Sequence, residues 1–247
     1  MGVSFMRIRL TDRDKSILDF LENHSLITSS QIQRIFSMSQ TVQSKRLNKL
    51  VECIPNLKKN KYEPYENLFR NKRNWEDLLK HENYYYLNRK PKNEVHEILI
   101  NEFYVKLLER SKTFGYEILE FDCKYLIEVG GFRVRPDAHI IIKYKNVEYE
   151  YLLELENNKS FNCDKYYALE QKGVILPTII ICTDRKIRFY LKNTEYIRVK
   201  LCMSDFMNFT NDFLSQEGGF ITLTPEIEQE ILRLNDFSPS KDDTELF

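Results

Sequence analysis

The 247-residue sequence predicts an α+β protein of two dissimilar domains, and three observations carry that prediction. The first ninety residues hold three short amphipathic helical patterns, each opened by a Ser or Thr, followed by an aromatic strand-like run. Residues 91–215 alternate one long helix, several β-branched and aromatic runs, a further helix and further strands, the order of an α/β layered domain. Charge divides along the same line. Residues 1–90 carry 17 Lys+Arg against 10 Asp+Glu, and the remainder carries 20 against 27, although the whole chain is neutral at 37 of each. A basic module on an acidic partner domain suggests a polyanion-binding part joined to something else.

Composition narrows the class. At 42% hydrophobic and 30% charged residues the chain has the make-up of an ordinary globular protein. Its longest apolar run, VILPTIIIC, is strand-sized, so no membrane span and no membrane partner are expected. MGVSFMRIRLTDRDK lacks the apolar segment and cleavage site of a signal peptide. The five cysteines (53, 123, 163, 182 and 202) are scattered and form no CxxC. They support neither a disulfide framework nor a zinc site, and the expected location is a reducing cytoplasm.

In the N-terminal domain (1–90), Thr11 is the expected cap of a first helix, with Asp14 three residues on in a capping box. Ile17, Leu18 and Leu21 form its buried stripe. Thr28-Ser29-Ser30 caps a second helix over QIQRIF that buries Ile32, Ile35 and Phe36. A third helix spans Thr41–Glu52. Its spacing sends Val42, Leu47, Leu50 and Val51 inward and Gln43, Ser44, Lys45, Arg46, Asn48 and Lys49 outward. Tyr84–Leu87 reads as a returning wing strand. The result is a winged helix-turn-helix DNA-binding domain whose third helix has the dimensions of the major groove. The long basic insert Pro55–Asn83 supplies Lys58, Lys59, Lys61, Arg70, Lys72 and Arg73 for phosphates. Its NLFRNKRNWEDLLKH section has a helical pattern, and Trp75 reads as a packing anchor. A three-helix protein-interaction module with a solvated outer face is the competing reading.

Pro91, in NRKPKN, marks the expected linker. Asn93–Lys112 is the longest helix, burying Val95, Ile98, Leu99, Phe103, Leu107 and Leu108. YEILEF (116–121) and KYLIEV (124–129) are strand-like. FRVRPDAHIIIKYKNVEYEYLLELENN (132–158) then reads as a hairpin reversed at Lys145-Asn146, with Glu154 and Glu156 on one face and Asp137 able to lie across from them. A helix over 164–173 ends at Gly173, 174–183 is a buried strand, 197–201 another strand and 204–214 a helix. The last segment (216–247) holds a helix opened by Thr224-Pro225 and an acidic tail.

Three carboxylates gathered at one sheet edge are the makings of a divalent-metal site for Mg²⁺ or Mn²⁺, so Asp137, Glu154 and Glu156 are candidate metal ligands. They also fit a solvated strand face shared with Glu148 and Glu150. His139 shares the parity of Asp137, and His96 opens the long helix; a lone histidine of this kind is more often structural. Glu97 and Glu102 on the long helix are weaker candidate ligands.

Pro-Asp at the mouth of one strand and Glu-x-acid at the end of the next resemble the PD-(D/E)XK nuclease fold. More narrowly, LTDRDKSILDFL, HEILINEFYVKLLER, RPDAHIIIKYKNVEYEYLLELENN and Lys165 resemble, in that order, the replication-relaxation family of plasmids and other mobile elements. The resemblance covers roughly residues 10–190. It implies an N-terminal winged helix and a degenerate nuclease-like domain. It also implies a role at a plasmid or mobile-element origin, in replication or conjugative transfer. Asp137, Glu154 and Glu156 fall on its acidic positions, and in active nucleases of the broad fold the third is lysine. With Glu156 in that place, Lys165 or Lys159 would have to supply the ammonium, and a catalytic set would be Asp137, Glu154, Glu156 and Lys165. Enzyme activity is therefore left open, with a non-enzymatic role favoured. The alternatives are a Mg²⁺-dependent endonuclease and a winged-helix transcription regulator with a C-terminal assembly domain. Double-stranded DNA is the expected partner, with replication or relaxosome proteins and a homodimer as further candidates.

Overall fold

The computed structural model describes residues 8–61, 83–144, 146–156, 164–174, 176, 178–182 and 200–203, and over them the chain is a mixed α+β protein. It divides into two compact units, Met1–Arg110 and Ser111–Phe247.

In the first unit, α1 (Asp12–His24) starts where the sequence predicts. The Thr11 hydroxyl accepts from the Asp14 N–H at 3.2 Å, and the Asp14 carboxylate accepts from the Thr11 N–H at 2.7 Å. Two orphan backbone donors are thereby satisfied reciprocally. The short strand β1 (Leu26–Thr28) follows, then α2 (Ser29–Phe36), whose Thr28 cap forms a second reciprocal box with Gln31. The third helix, α3, runs Gln40–Cys53. Strands β2 (Leu57–Lys61) and β3 (Asn83–Leu87) complete an antiparallel sheet in the order β1-β3-β2, with Tyr84–Leu87 in its central strand as the aromatic pattern predicts. Ile17, Leu21, Ile27, Ile32, Leu47, Leu50, Leu57 and Tyr85 form one buried cluster. At roughly 1.5–3 kcal/mol per buried aliphatic side chain, this cluster supplies most of the drive for the helices to pack.

Two expectations for α3 are corrected. Val42 is 56% exposed, and Gln43 is only 3% exposed. Gln43 lies on the arc of Leu47 and Leu50, four and seven residues on, so helical geometry turns it inward. There its Nε2 donates to the Ser29 carbonyl oxygen at 2.5 Å, which satisfies the buried amide. β1 is a strand the sequence did not announce, since three residues are too few for an alternation to register.

The long helix α4 (Glu94–Phe114) also differs in its allegiance. The sequence places the linker at Pro91, ahead of this helix, yet residues up to Arg110 belong to the first unit. The linker signal marks a break in secondary structure; packing sets the unit boundary. Asn101, fully buried, accepts from the His24 ring at Nδ1 (2.9 Å) and donates Nδ2 to the Leu26 carbonyl (2.6 Å). Gln31 Nε2 donates to the Ile98 carbonyl at 2.9 Å. Arg34 binds Glu102 through Nη1 (2.6 and 2.8 Å) and grips Glu109 with a parallel pair of bonds at 2.7 Å each.

The second unit is built on a five-stranded sheet in the order β10-β9-β8-β7-β4: β4 (Glu117–Asp122), β7 (Ala138–Tyr144), β8 (Val147–Glu156), β9 (Thr178–Cys182) and β10 (Lys200–Met203). The β4-β7-β8 part is antiparallel; β8, β9 and β10 are parallel, with α5 (Asp164–Gln171) between β8 and β9 in sequence. Residues 132–134 do not join the main hairpin. They form β6 (Phe132–Val134), paired with β5 (Ile127–Val129) as a separate ribbon. Gly130 and Gly131 reverse that ribbon with φ of +53° and +78°, values a side chain would strain. Ile127, Val134, Leu152, Tyr166 and Leu169 pack together, so the ribbon and α5 share one face of the sheet with Leu152. The helical patterns at 204–214 and after Pro225, the acidic tail and Trp75 lie outside the described residues.

Asp14 fastens the first unit. It is 2% exposed and bonded by Thr11 and by both Nε and Nη2 of Arg46. Burial alone would raise its pKa, but the Arg46 hydrogen bonds and the Thr11 donors outweigh it and hold the carboxyl below its usual value. Its contribution to stability is therefore complete above the unfolded carboxylate value of about 4 and is lost as pH falls through the lower folded value. Asp14→Ala, measured by urea unfolding at pH 7, should cost about 2–4 kcal/mol, because it removes a cap and leaves a half-buried guanidinium unpaired.

Candidate functional site

The two candidate surfaces lie one in each unit. In the first, Ser44, Lys45, Asn48 and Lys49 are exposed on α3, and Lys58, Lys59 and Lys61 are exposed on β2. Lys59 Nζ donates to Asn48 Oδ1 at 3.0 Å, which places Lys59 and, by strand parity, Lys61 on the β2 face next to α3, with Lys58 on the other face. Two residues predicted to face outward do not serve it. Gln43 is buried, as described above. Arg46 is committed to Asp14 and, through Nη2, to the Arg9 carbonyl at 2.9 Å. The hydrogen bond to Asp14, and then its charge, raise the guanidinium's pKa against the effect of burial. Arg70, Lys72 and Arg73 lie outside the described residues.

The second surface is the mouth of the β7–β8 hairpin. Ala138 pairs with Leu153, and one step further the Asp137 N–H donates to the Leu153 carbonyl at 2.9 Å. The Asp137 carboxylate in turn accepts from the Leu155 N–H at 2.7 Å. This reciprocal closure brings Asp137 beside Glu154, as expected. Glu154 is 6% exposed. Its Oε1 accepts from Lys165 Nζ at 2.7 Å and from the Tyr166 hydroxyl. Burial, then the charge of Asp137, raises the Glu154 pKa; the Lys165 ammonium and the Tyr166 hydrogen bond act against that rise. Burial also raises the Tyr166 phenol strongly, so it stays protonated and donates.

The structure thus brings Asp137, Glu154 and Lys165 together. Glu156 is the next residue of the same parity in β8, paired with Cys182 of β9. Its carboxylate, like Lys159, lies outside the described residues. Tyr166 was not singled out by the sequence. Its spacing of three from Leu169 on α5 is the signal that could have found it, since a tyrosine on a buried helix face requires a partner for its hydroxyl.

His139 does not join this cluster. Its Nδ1 faces Glu120 Oε1 at 2.8 Å, its Nε2 faces Glu150 Oε1 at 2.7 Å, and Tyr125 stacks on the ring at 3.9 Å. Glu150 is therefore partnered across the sheet, not merely solvated. His96 sits on the first turn of α4, its N–H donating to Asn93 Oδ1 at 3.3 Å. Glu102 is committed to Arg34, which corrects its candidacy as a metal ligand.

No family model, curated protein or solved structure matches this chain.

Among the described residues no group of three His, Cys, Asp or Glu is placed to hold a metal ion, and no helix is long and apolar enough to cross a membrane. The acid cluster itself fits a resident divalent cation poorly. A carboxylate oxygen has about two lone-pair sites, and Glu154 Oε1 already receives an ammonium and a phenol. One oxygen of Asp137 is committed to the Leu155 N–H.

Tyr166→Phe removes the phenol donor from a buried carboxylate and leaves the ring in place. It should lower unfolding free energy by about 1–3 kcal/mol in guanidinium titrations. An unchanged midpoint would show that Lys165 alone satisfies Glu154.

Proposed function

We propose that the chain is a DNA-binding protein of the replication-relaxation type, acting at the origin of a plasmid or other mobile element. In this reading the first unit is a winged helix that grips duplex DNA, and the second is a nuclease-like unit that serves as a further contact and not as a catalyst. The observation that carries the reading is the Lys59–Asn48 hydrogen bond, which joins the outer face of α3 to the basic strand β2. A helix of 14 residues is about 21 Å long and fits the major groove while an adjoining lysine-bearing strand meets the phosphates. Arg46 and Gln43, drawn into the fold, leave Ser44, Lys45, Asn48 and Lys49 as the groove-facing set. The order of helices and of strands around Asp137 and Glu154 supports the nuclease-like assignment, which rests on resemblance.

A Mg²⁺-dependent endonuclease is the second reading. The approach of Lys165 to Glu154, where Glu156 replaces the motif lysine, is the observation that favours it; the hydrogen bonds already made by the acid cluster weigh against it.

Fluorescence anisotropy with labelled duplex should show affinity falling steeply with salt. Lys59→Ala and Lys61→Ala should each weaken binding to all sequences and reduce the log–log salt slope by about one. Lys45→Ala or Lys49→Ala should also change the ranking of sequences, at about 1–3 kcal/mol for a lost base contact. No binding at low salt would refute the reading. Supercoiled plasmid incubated with Mg²⁺ or Mn²⁺ should stay intact; cleavage that Asp137→Ala or Glu154→Ala abolishes would establish the second reading instead.

A further inference from the structure

We infer that the Lys165 ammonium is the resident cation of the Asp137–Glu154 cluster and keeps that cluster closed to divalent metal. The inference stands on the second unit alone and is independent of DNA binding by the first.

Two adjacent carboxylates on one strand pair, one of them buried, need a positive charge close by. In a metal enzyme the ion provides it. Here α5 carries Lys165 to within 2.7 Å of Glu154 Oε1, and the neighbouring Tyr166 donates to the same oxygen. The ammonium also lies 5.0 Å from the centre of the Tyr166 ring, whose face adds to its attraction. Lysine and tyrosine at successive positions of one helix thus converge on a single acceptor. Mg²⁺ demands near-ideal octahedral geometry and gives up its water reluctantly. A carboxylate with 6% exposure, one oxygen of which already takes two donors, offers it little. A metal ion bound through Glu154 Oε1 would have to displace the ammonium and leave Lys165 without its ion-pair partner there, and one bound through the other oxygen would sit beside that ammonium, charge against like charge.

Removing the ammonium should therefore open the cluster to metal. Mn²⁺ binding to the full chain at pH 8, followed by electron paramagnetic resonance of the free ion, tests this directly. The wild-type protein and Lys165→Arg should show no site that depends on Glu154. Lys165→Met should acquire one, with affinity at least about tenfold above wild type. Adding Glu154→Gln to Lys165→Met should abolish the gain. Lys165→Gln, which keeps a neutral donor for Glu154, serves the same purpose if Lys165→Met does not fold. Wild-type binding that Glu154→Gln removes would overturn the inference. So would the absence of a gained site in folded Lys165→Met or Lys165→Gln, because the ammonium would then not be what excludes the ion.

Discussion

The register of the β7–β8 hairpin is the constraint on which the second unit depends. Side chains alternate faces along a strand, so a slip of one residue would move Asp137 and Glu154 apart and turn Leu152 away from Tyr166 and Leu169. The register is held at both ends. Asn146, with φ of +65°, lies at the reversal, and the Asp137–Leu155 bond closes the mouth. Asp137 therefore has a structural duty before any functional one. Its backbone N–H and its carboxylate both bind β8, as a strand-end cap would. The same register sets His139 between Glu120 and Glu150, a three-strand polar link on the face that carries Glu154.

Polar contacts play a comparable part in the first unit. Its apolar cluster would hold the helices together without specifying how they meet, because dispersion and burial are nearly non-directional. Direction comes from a few buried hydrogen-bonding groups. Asp14 ties the start of α1 to α3, Gln43 ties α3 to the start of α2, and Asn101, Gln31 and Arg34 tie α4 to the β1–α2 segment. Each would be costly to bury without its partner, which makes alternative packings of the same helices unfavourable. Gln43 and Arg46 illustrate the consequence for function. Both are of the residue types that read bases from a third helix, and both are structural.

Much of the fold was legible because local signals agreed. The Thr11 and Thr28 caps, the end of α5 near Gly173, the reversal at Asn146 and the aromatic run of β3 each combine a propensity with a geometric requirement that only a few residue types meet. Elements were missed where the pattern was too short or lay within a segment of another character. β1 has three residues, β2 begins a basic insert, and β6 has three residues that end at Arg135-Pro136-Asp137, a break the single-hairpin reading ran across. The juxtaposition of Asp137 and Glu154 was legible from strand parity. The arrival of Tyr166 was not, because it depends on where α5 lies on the sheet.

The sequence by itself determined the mixed α+β class, the principal helices and strands, and the face on which the acidic residues of the hairpin fall. These follow from capping chemistry and from periods of 3.6 and 2, which need no distant partner. Tertiary structure decided which unit α4 belongs to, which polar residues of α3 remain exposed, and what neutralises Glu154. Those outcomes turn on groups many residues apart, Arg46 with Asp14, Arg34 with Glu102 and Lys165 with Glu154. A pattern along the chain cannot express them, because it does not say which surfaces meet.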